Sequence, residues 1–110
     1  MNNIVLDIGK EFSKTPDARR RDDGKSSGEQ FLNELLAPKY LEAKKAGVKV
    51  IVDLDGPEGY GTSFLEESFG GLARMFPEDD ILKTLDFHST RESYLVEDIK
   101  KYIEEANADQ

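Results

Sequence analysis

Apolar positions recur along this chain in two rhythms, one of period two and one close to three and a half. Between Asn3 and Ile8, the residues Ile4, Leu6 and Ile8 fall on one side of a two-residue repeat, which predicts a strand with one buried face. From Val48 to Leu54 the apolar, β-branched run is nearly unbroken, which predicts a central strand covered on both faces. A short helical piece from Ile81 leads into a third predicted strand around Leu85 and Phe87. Helical spacing joins Phe31, Leu32, Leu35 and Leu36 in a helix that starts near Gly28, is interrupted or kinked at Pro38 and stops at Gly47. Leu65, Phe69, Leu72 and Phe76 mark a second helix, ended by Pro77. Leu95, Ile99, Tyr102 and Ala106 mark a terminal amphipathic helix after Thr90, with a tail at 107–110 expected to fray.

This order predicts the α/β class: a single compact domain over residues 1–110, with a small mixed sheet packed against about three helices. Right-handed crossovers are expected wherever neighbouring strands run parallel. The polar segment 10–27, with Thr15-Pro16-Asp17, Asp23-Gly24 and Ser26-Ser27, predicts a loop or a short edge strand near Arg19. Ser26 precedes Glu29 by three residues and Ser27 precedes Gln30 by three, so either serine can cap the first helix.

Composition narrows the function classes. A formal net charge of −8 disfavours general affinity for phosphate backbones or anionic lipid, so neither nucleic acid nor membrane is an expected partner. The exception is Arg19-Arg20-Arg21, diluted by Asp22 and Asp23, which reads as a solvated loop or a contact for an anion or partner. With no cysteine there is neither a disulfide framework nor a thiolate nucleophile or ligand. No basic-then-apolar leader opens the chain and no run approaches the ~20 apolar residues of a membrane span, so a cytoplasmic protein is expected.

Candidate chemistry collects between Val48 and Met75. The loop Asp55-Gly56-Pro57-Glu58-Gly59-Tyr60-Gly61-Thr62-Ser63 leaves the C-terminal end of the predicted central strand and enters a helix, where α/β sheets usually carry their sites. Its glycines permit close backbone approach, and the first-turn amides of the helix can hold an anion, although a Walker A lysine is missing. The partner- or anion-binding candidates are therefore Gly59, Tyr60, Gly61, Thr62, Ser63 and Phe64, with Tyr60 and Phe64 as possible aromatic anchors. Ser63 also stands three residues before Glu66, the spacing of a helix cap. Gly70-Gly71 inside the helix costs roughly 1 kcal/mol per glycine, which suggests close packing or a partner against the backbone.

The run Val50-Ile-Val-Asp-Leu-Asp-Gly-Pro-Glu-Gly-Tyr-Gly-Thr-Ser-Phe-Leu-Glu-Glu-Ser-Phe-Gly-Gly-Leu72 resembles the signature of bacterial STAS-like domains of unknown function. Phe12-Ser-Lys-Thr-Pro16, Arg19-Arg-Arg-Asp-Asp-Gly24 and Ser27-Gly-Glu-Gln-Phe31 extend the similarity upstream. STAS domains, named for sulfate transporters and anti-sigma factor antagonists, carry a phosphorylatable serine at the start of the helix after a central strand. The matching position is Ser63, with Thr62 beside it. The resemblance implies a regulatory interaction module whose partner is a serine kinase of the histidine-kinase-like ATPase fold. It implies no cofactor and no catalytic or metal-binding residue. A phosphate at Ser63 would gain from the helix dipole but face Asp55, Glu58, Glu66 and Glu67, so a basic group, Arg74 or the 19–21 cluster, is needed nearby.

Val50-Ile-Val-Asp-Leu-Asp-Gly56 also resembles the first motif of haloacid-dehalogenase-type phosphatases, which implies Asp53 as nucleophile, Asp55 as general acid and a magnesium ion. Against it, Pro57 replaces the usual threonine and the motif follows an earlier strand and helix. Glu78-Asp79-Asp80, just after Pro77, reads as solvated charge at a helix start. His88, the only histidine, lacks the partners of a metal site or triad and is assigned no role.

Overall fold

In the computed structural model, which describes residues 2–20, 22, 24 and 26–108, the period-two and β-branched runs form a three-stranded sheet. Strands β1 (Ile4–Asp7), β2 (Val50–Asp53) and β3 (Leu85–His88) lie in the order β1-β2-β3 and all run parallel. Their register aligns Leu6, Val52 and Phe87 in one row and Asp7, Asp53 and His88 in the next. Among the described residues five α-helical stretches complete the fold: α1 (Ile8–Glu11), α2 over 28–46, α3 over 62–73, α4 (Glu78–Thr84) and α5 (Tyr94–Ala108).

Alternation along the strands separates two faces. Ile4 and Leu6, Val50 and Val52, and Leu85 and Phe87 point toward the helices, and the core continues into Phe31, Leu36 and Tyr40 of α2, Phe64, Phe69 and Leu72 of α3, and Ile99 and Ile103 of α5. On the other face Val5 is 56% exposed, Asp86 is exposed and Ile51 is half-buried. The near-continuous apolar run of β2 therefore does not mean cover on both faces. Right-handed crossovers between strands in simple 1-2-3 order put both connections on one side of the sheet, so one face is packed and the other left more open.

Helix α2 starts where its sequence supplies a cap: Ser27 Oγ accepts from Gln30 N at 3.1 Å, so Ser27 rather than Ser26 is the capping serine. The first amides of α2, Gly28 N and Glu29 N, donate to Ala18 O and Arg19 O, which uses the backbone near Arg19 in capping and not in an edge strand. Pro38 does not stop the helix. The turn Leu32–Leu36 just before it widens to π geometry, which relieves the clash of the proline ring with a preceding carbonyl, and α2 runs on to Gly47, whose left-handed φ of 71° closes it.

Helix α3 also contains a π turn, Glu66–Gly70, beside a buried Ser68 whose hydroxyl donates to Phe64 O at 2.8 Å. Gly71 lies so close to α2 that an added Cβ would stand 2.7 Å from Leu32 Cδ2, and both Gly70 and Gly71 are buried. Packing against α2 accounts for Gly71, while a Cβ on Gly70 would meet only the ion-paired side chains of Glu66 and Arg74. Of the tail at 107–110 expected to fray, the first two residues continue α5 and 109–110 lie outside the described residues; Asn107 Nδ2 donates to Ala73 O at 2.9 Å and to Phe76 O at 3.3 Å, capping the end of α3. Glu78, Asp79 and Asp80 occupy the first turn of α4, as helix-start charge does. Among the described residues no helix is long and apolar enough to cross a membrane.

Candidate functional site

The sheet ends at Asp7, Asp53 and His88, and the segments leaving that C-terminal edge build the site. After β2 the chain crosses the edge and returns as Tyr60, whose hydroxyl donates to Leu54 O at 2.8 Å. Burial, then the charges of Asp53, Asp55, Asp7 and Glu92, push the Tyr60 phenol above its ordinary range, so it stays a neutral donor. Gly61 N donates to Pro16 O at 3.0 Å, and an added Cβ on Gly61 would sit 2.5 Å from Asp17 O. Only glycine lets the strap 14–19 lie this close to the loop. Between Lys14–Asp17 and Glu58–Gly61 runs an open groove of about 340 Å³.

Gly61 is the N-cap of α3 and no side chain caps the helix. Thr62 and Ser63 are its first two residues; both are exposed, and neither hydroxyl bonds to a described residue. The spacing of Ser63 to Glu66 therefore does not make a cap. Phe64 corrects a second expectation: it is fully buried, 5.4 Å from the Phe31 ring and 5.8 Å from that of Phe12, so it supports the loop from beneath and presents nothing to a partner. Tyr60 stacks on it at 6.1 Å and lines the groove with Gly59 and Gly61. The site thus divides into a groove wall, Gly59 to Gly61, and an exposed hydroxyl pair, Thr62 and Ser63.

Glu66 and Glu67, one turn after Ser63, are paired. Arg19 Nη1 contacts Glu66 Oε1 and Glu67 Oε1, the latter at 3.1 Å, and Arg74 Nη1 reaches Glu66 Oε2 at 2.8 Å. Hydrogen bonds from Arg74 and then Arg19 hold the Glu66 carboxyl below the usual carboxylate range, and Glu66 in turn raises the Arg19 guanidinium. Arg74, just past the end of this helix, and Arg19, from the strap, both reach its glutamates and are engaged with those carboxylates. Arg21 lies outside the described residues.

Asp53, Asp55 and His88 bring potential ligand atoms within 4.8 Å of one another, the one such grouping among the described residues. Sequence reasoning missed His88, because only strand register sets it beside Asp53. Asp55 is heavily used: it accepts from Thr90 Oγ1 at 2.8 Å, Thr90 N at 2.9 Å and Arg91 N at 3.3 Å, and His88 Nε2 stands 3.3 Å away. The Thr90 hydroxyl, then the backbone amides and His88, hold its carboxyl below the ordinary value. Asp53 Oδ1 accepts Asp55 N at 3.0 Å. Two carboxylates and an imidazole are a donor set for a divalent cation, but here they chiefly tie the β2 loop to the segment before α5.

Fold and site together define a small α/β domain with a parallel sheet and a glycine-rich loop feeding a helix that carries an exposed serine near its start. The chain belongs to the family described as STAS-like domain of unknown function, whose model matches residues 27–95. The match runs from the Ser27 cap through β2, the loop, α3 and β3 to the first turn of α5, and leaves β1 and the strap outside. No curated protein and no solved structure matches the chain.

Proposed function

We propose that this domain is a regulatory protein-interaction module that works as a phosphorylation-controlled partner switch. The partner is an ATPase of the histidine-kinase-like fold acting as a serine kinase. Ser63 Oγ takes the γ-phosphoryl group of ATP, ADP leaves, and the serine proton passes to a base on the kinase. Thr62 is the alternative acceptor. The observation that carries this reading is the state of Ser63: exposed, in the first turn after the central strand, and not spent on capping. A phosphate there meets the positive end of a helix and adds charge of about −1.5 to −2 to a surface that is already acidic, enough to reject a partner that docks on the neutral form. The groove and the exposed start of α3 form the docking surface, and the net charge of −8 favours a protein partner over nucleic acid or membrane.

The experiment is affinity capture with the full chain from the cells that make it, followed by incubation of the captured ATPase with the chain and labelled ATP. Label on the chain, lost in Ser63→Ala, is the expected result. Label kept in Ser63→Ala and lost in Thr62→Ala moves the acceptor to Thr62; an ATPase that binds without transferring label, or that labels equally the chain with both residues replaced by alanine, contradicts the proposal.

A phosphatase reading draws on the convergence of Asp53, Asp55 and His88. As a general acid Asp55 would have to hold a proton near neutrality, whereas its hydrogen-bond donors favour the ionised form. Magnesium-dependent phosphate release that disappears in Asp53→Asn would favour this alternative.

A further inference from the structure

The reading above leaves a difficulty: a phosphate on Ser63 lies one helical turn from two carboxylates. Residues three and four apart on a helix are neighbours, with Cβ atoms about 5–6 Å apart, so Ser63, Glu66 and Glu67 share one face. Asp17 from the strap, with its carboxylate near Gly61, adds a further negative group at the helix start. The same face carries the Arg19 guanidinium, which bridges Glu66 and Glu67. Arg74 approaches Glu66 alone, from the far side of the π turn. Two carboxylates and two guanidinium groups make this cluster neutral in charge, and only Arg19 is tied to a segment other than α3 itself.

That segment is the strap. Pro16 O accepts from the loop at Gly61, Ala18 O and Arg19 O accept from the first amides of α2, and Lys14 to Asp17 form one wall of the groove. An event that changes the grip of Arg19 therefore acts on a groove wall. A phosphate offers more charge and more acceptor oxygens than a carboxylate, and an arginine fork matches phosphate geometry.

We propose, resting on the switch reading of Ser63, that Arg19 is the positioning residue that reads the phosphate: it gives up part of its contact with Glu66 and Glu67 for phosphate oxygens and draws the strap toward the start of α3. Modification then reshapes the groove as well as charging its rim. The partner senses both changes.

The test uses the full chain with phosphoserine installed at position 63 during synthesis, so it does not depend on the kinase. Phosphorus NMR follows the second ionisation of that phosphate, ordinarily near about 6. With Arg19 in place it is expected below that value; in Arg19→Gln, facing Glu66 and Glu67 alone, it is expected about one unit higher. Arg74→Gln controls for loss of a positive charge in general and should move it much less. A second measurement needs no variant: the Nε–H resonance of Arg19 in the unsubstituted chain should follow the phosphate titration while that of Arg74 stays still. Equal titrations in the unsubstituted chain and Arg19→Gln, equal effects of the two substitutions, or the two arginine resonances behaving alike would overturn the proposal. An Arg19 response in a chain that no cellular ATPase phosphorylates would remove the switch and keep this contact; phosphorylation without the response would do the reverse.

Discussion

Ser63 and Ser27 each stand three residues before a residue that suits a capping box, Glu66 and Gln30, yet they do different work. Ser27 is fully buried and its Oγ accepts Gln30 N, so Ser27→Ala is expected to lower stability by about 1 kcal/mol. Ser63 is exposed and Gly61 holds the N-cap, so Ser63→Ala is expected to leave stability within about 0.5 kcal/mol, as surface substitutions do. Urea unfolding of the two variants checks both expectations, and a Ser63→Ala loss as large as that of Ser27→Ala would restore the capping role. Asp55 gives a pH signature. Its folded carboxyl is held below the ordinary aspartate value, so its contribution is fully present above that ordinary value and is lost as the pH falls through the lower folded one. Asp55→Asn is expected to flatten this part of the acid unfolding curve, measured by circular dichroism below about pH 4. The spacing of Ser63 alone could not separate cap from exposed hydroxyl, because both roles use the same residue type, and the contacts of Asp55 come from residues some 35 positions away.

At the scale of elements, the strands and helices were legible wherever burial imposes a period. The alternation at Ile4, Leu6 and Ile8, the β-branched run of β2 and the apolar stripe of α5 all became elements close to their predicted places. Less legible was what depends on neighbours. The half-open second face of β2 follows from strand order and crossover side, neither of which is written in a single strand. The outward edge of β1 is closed by side chains from elsewhere: Lys39 Nζ lies 3.5 Å from Val5 O, Glu11 Oε2 accepts Asp7 N, and Lys39 and Glu11 pair at 3.0 Å, which blunts an edge that could otherwise pair with another chain. The loop and strap meet through backbone, so Gly61→Ala, which would bring Cβ to 2.9 Å from Asp17 Cα, is expected to cost roughly 1–3 kcal/mol. Faster amide exchange at residues 14–17 should accompany that loss; normal stability and normal exchange would show that the strap does not depend on the glycine.

Across the whole molecule, a small parallel sheet carries its helices on one face and collects its loops at one end. There the groove, the exposed Ser63 and the Arg19–Glu66–Glu67–Arg74 cluster lie together on a chain of formal charge −8. Sequence pattern located this end of the domain and its serine. It could not show that Phe64 points inward or that Arg19 reaches across 47 residues to Glu66, since both depend on how α3 rolls against α2 and the strap. On the proposed reading, phosphate at Ser63 turns off a docking surface. The most direct measurement is the affinity of the captured ATPase, by calorimetry, for the full chain with and without phosphoserine at position 63. A loss of roughly tenfold or more on phosphorylation, about 1.4 kcal/mol, is the expected result; equal affinity for the two forms would contradict the account.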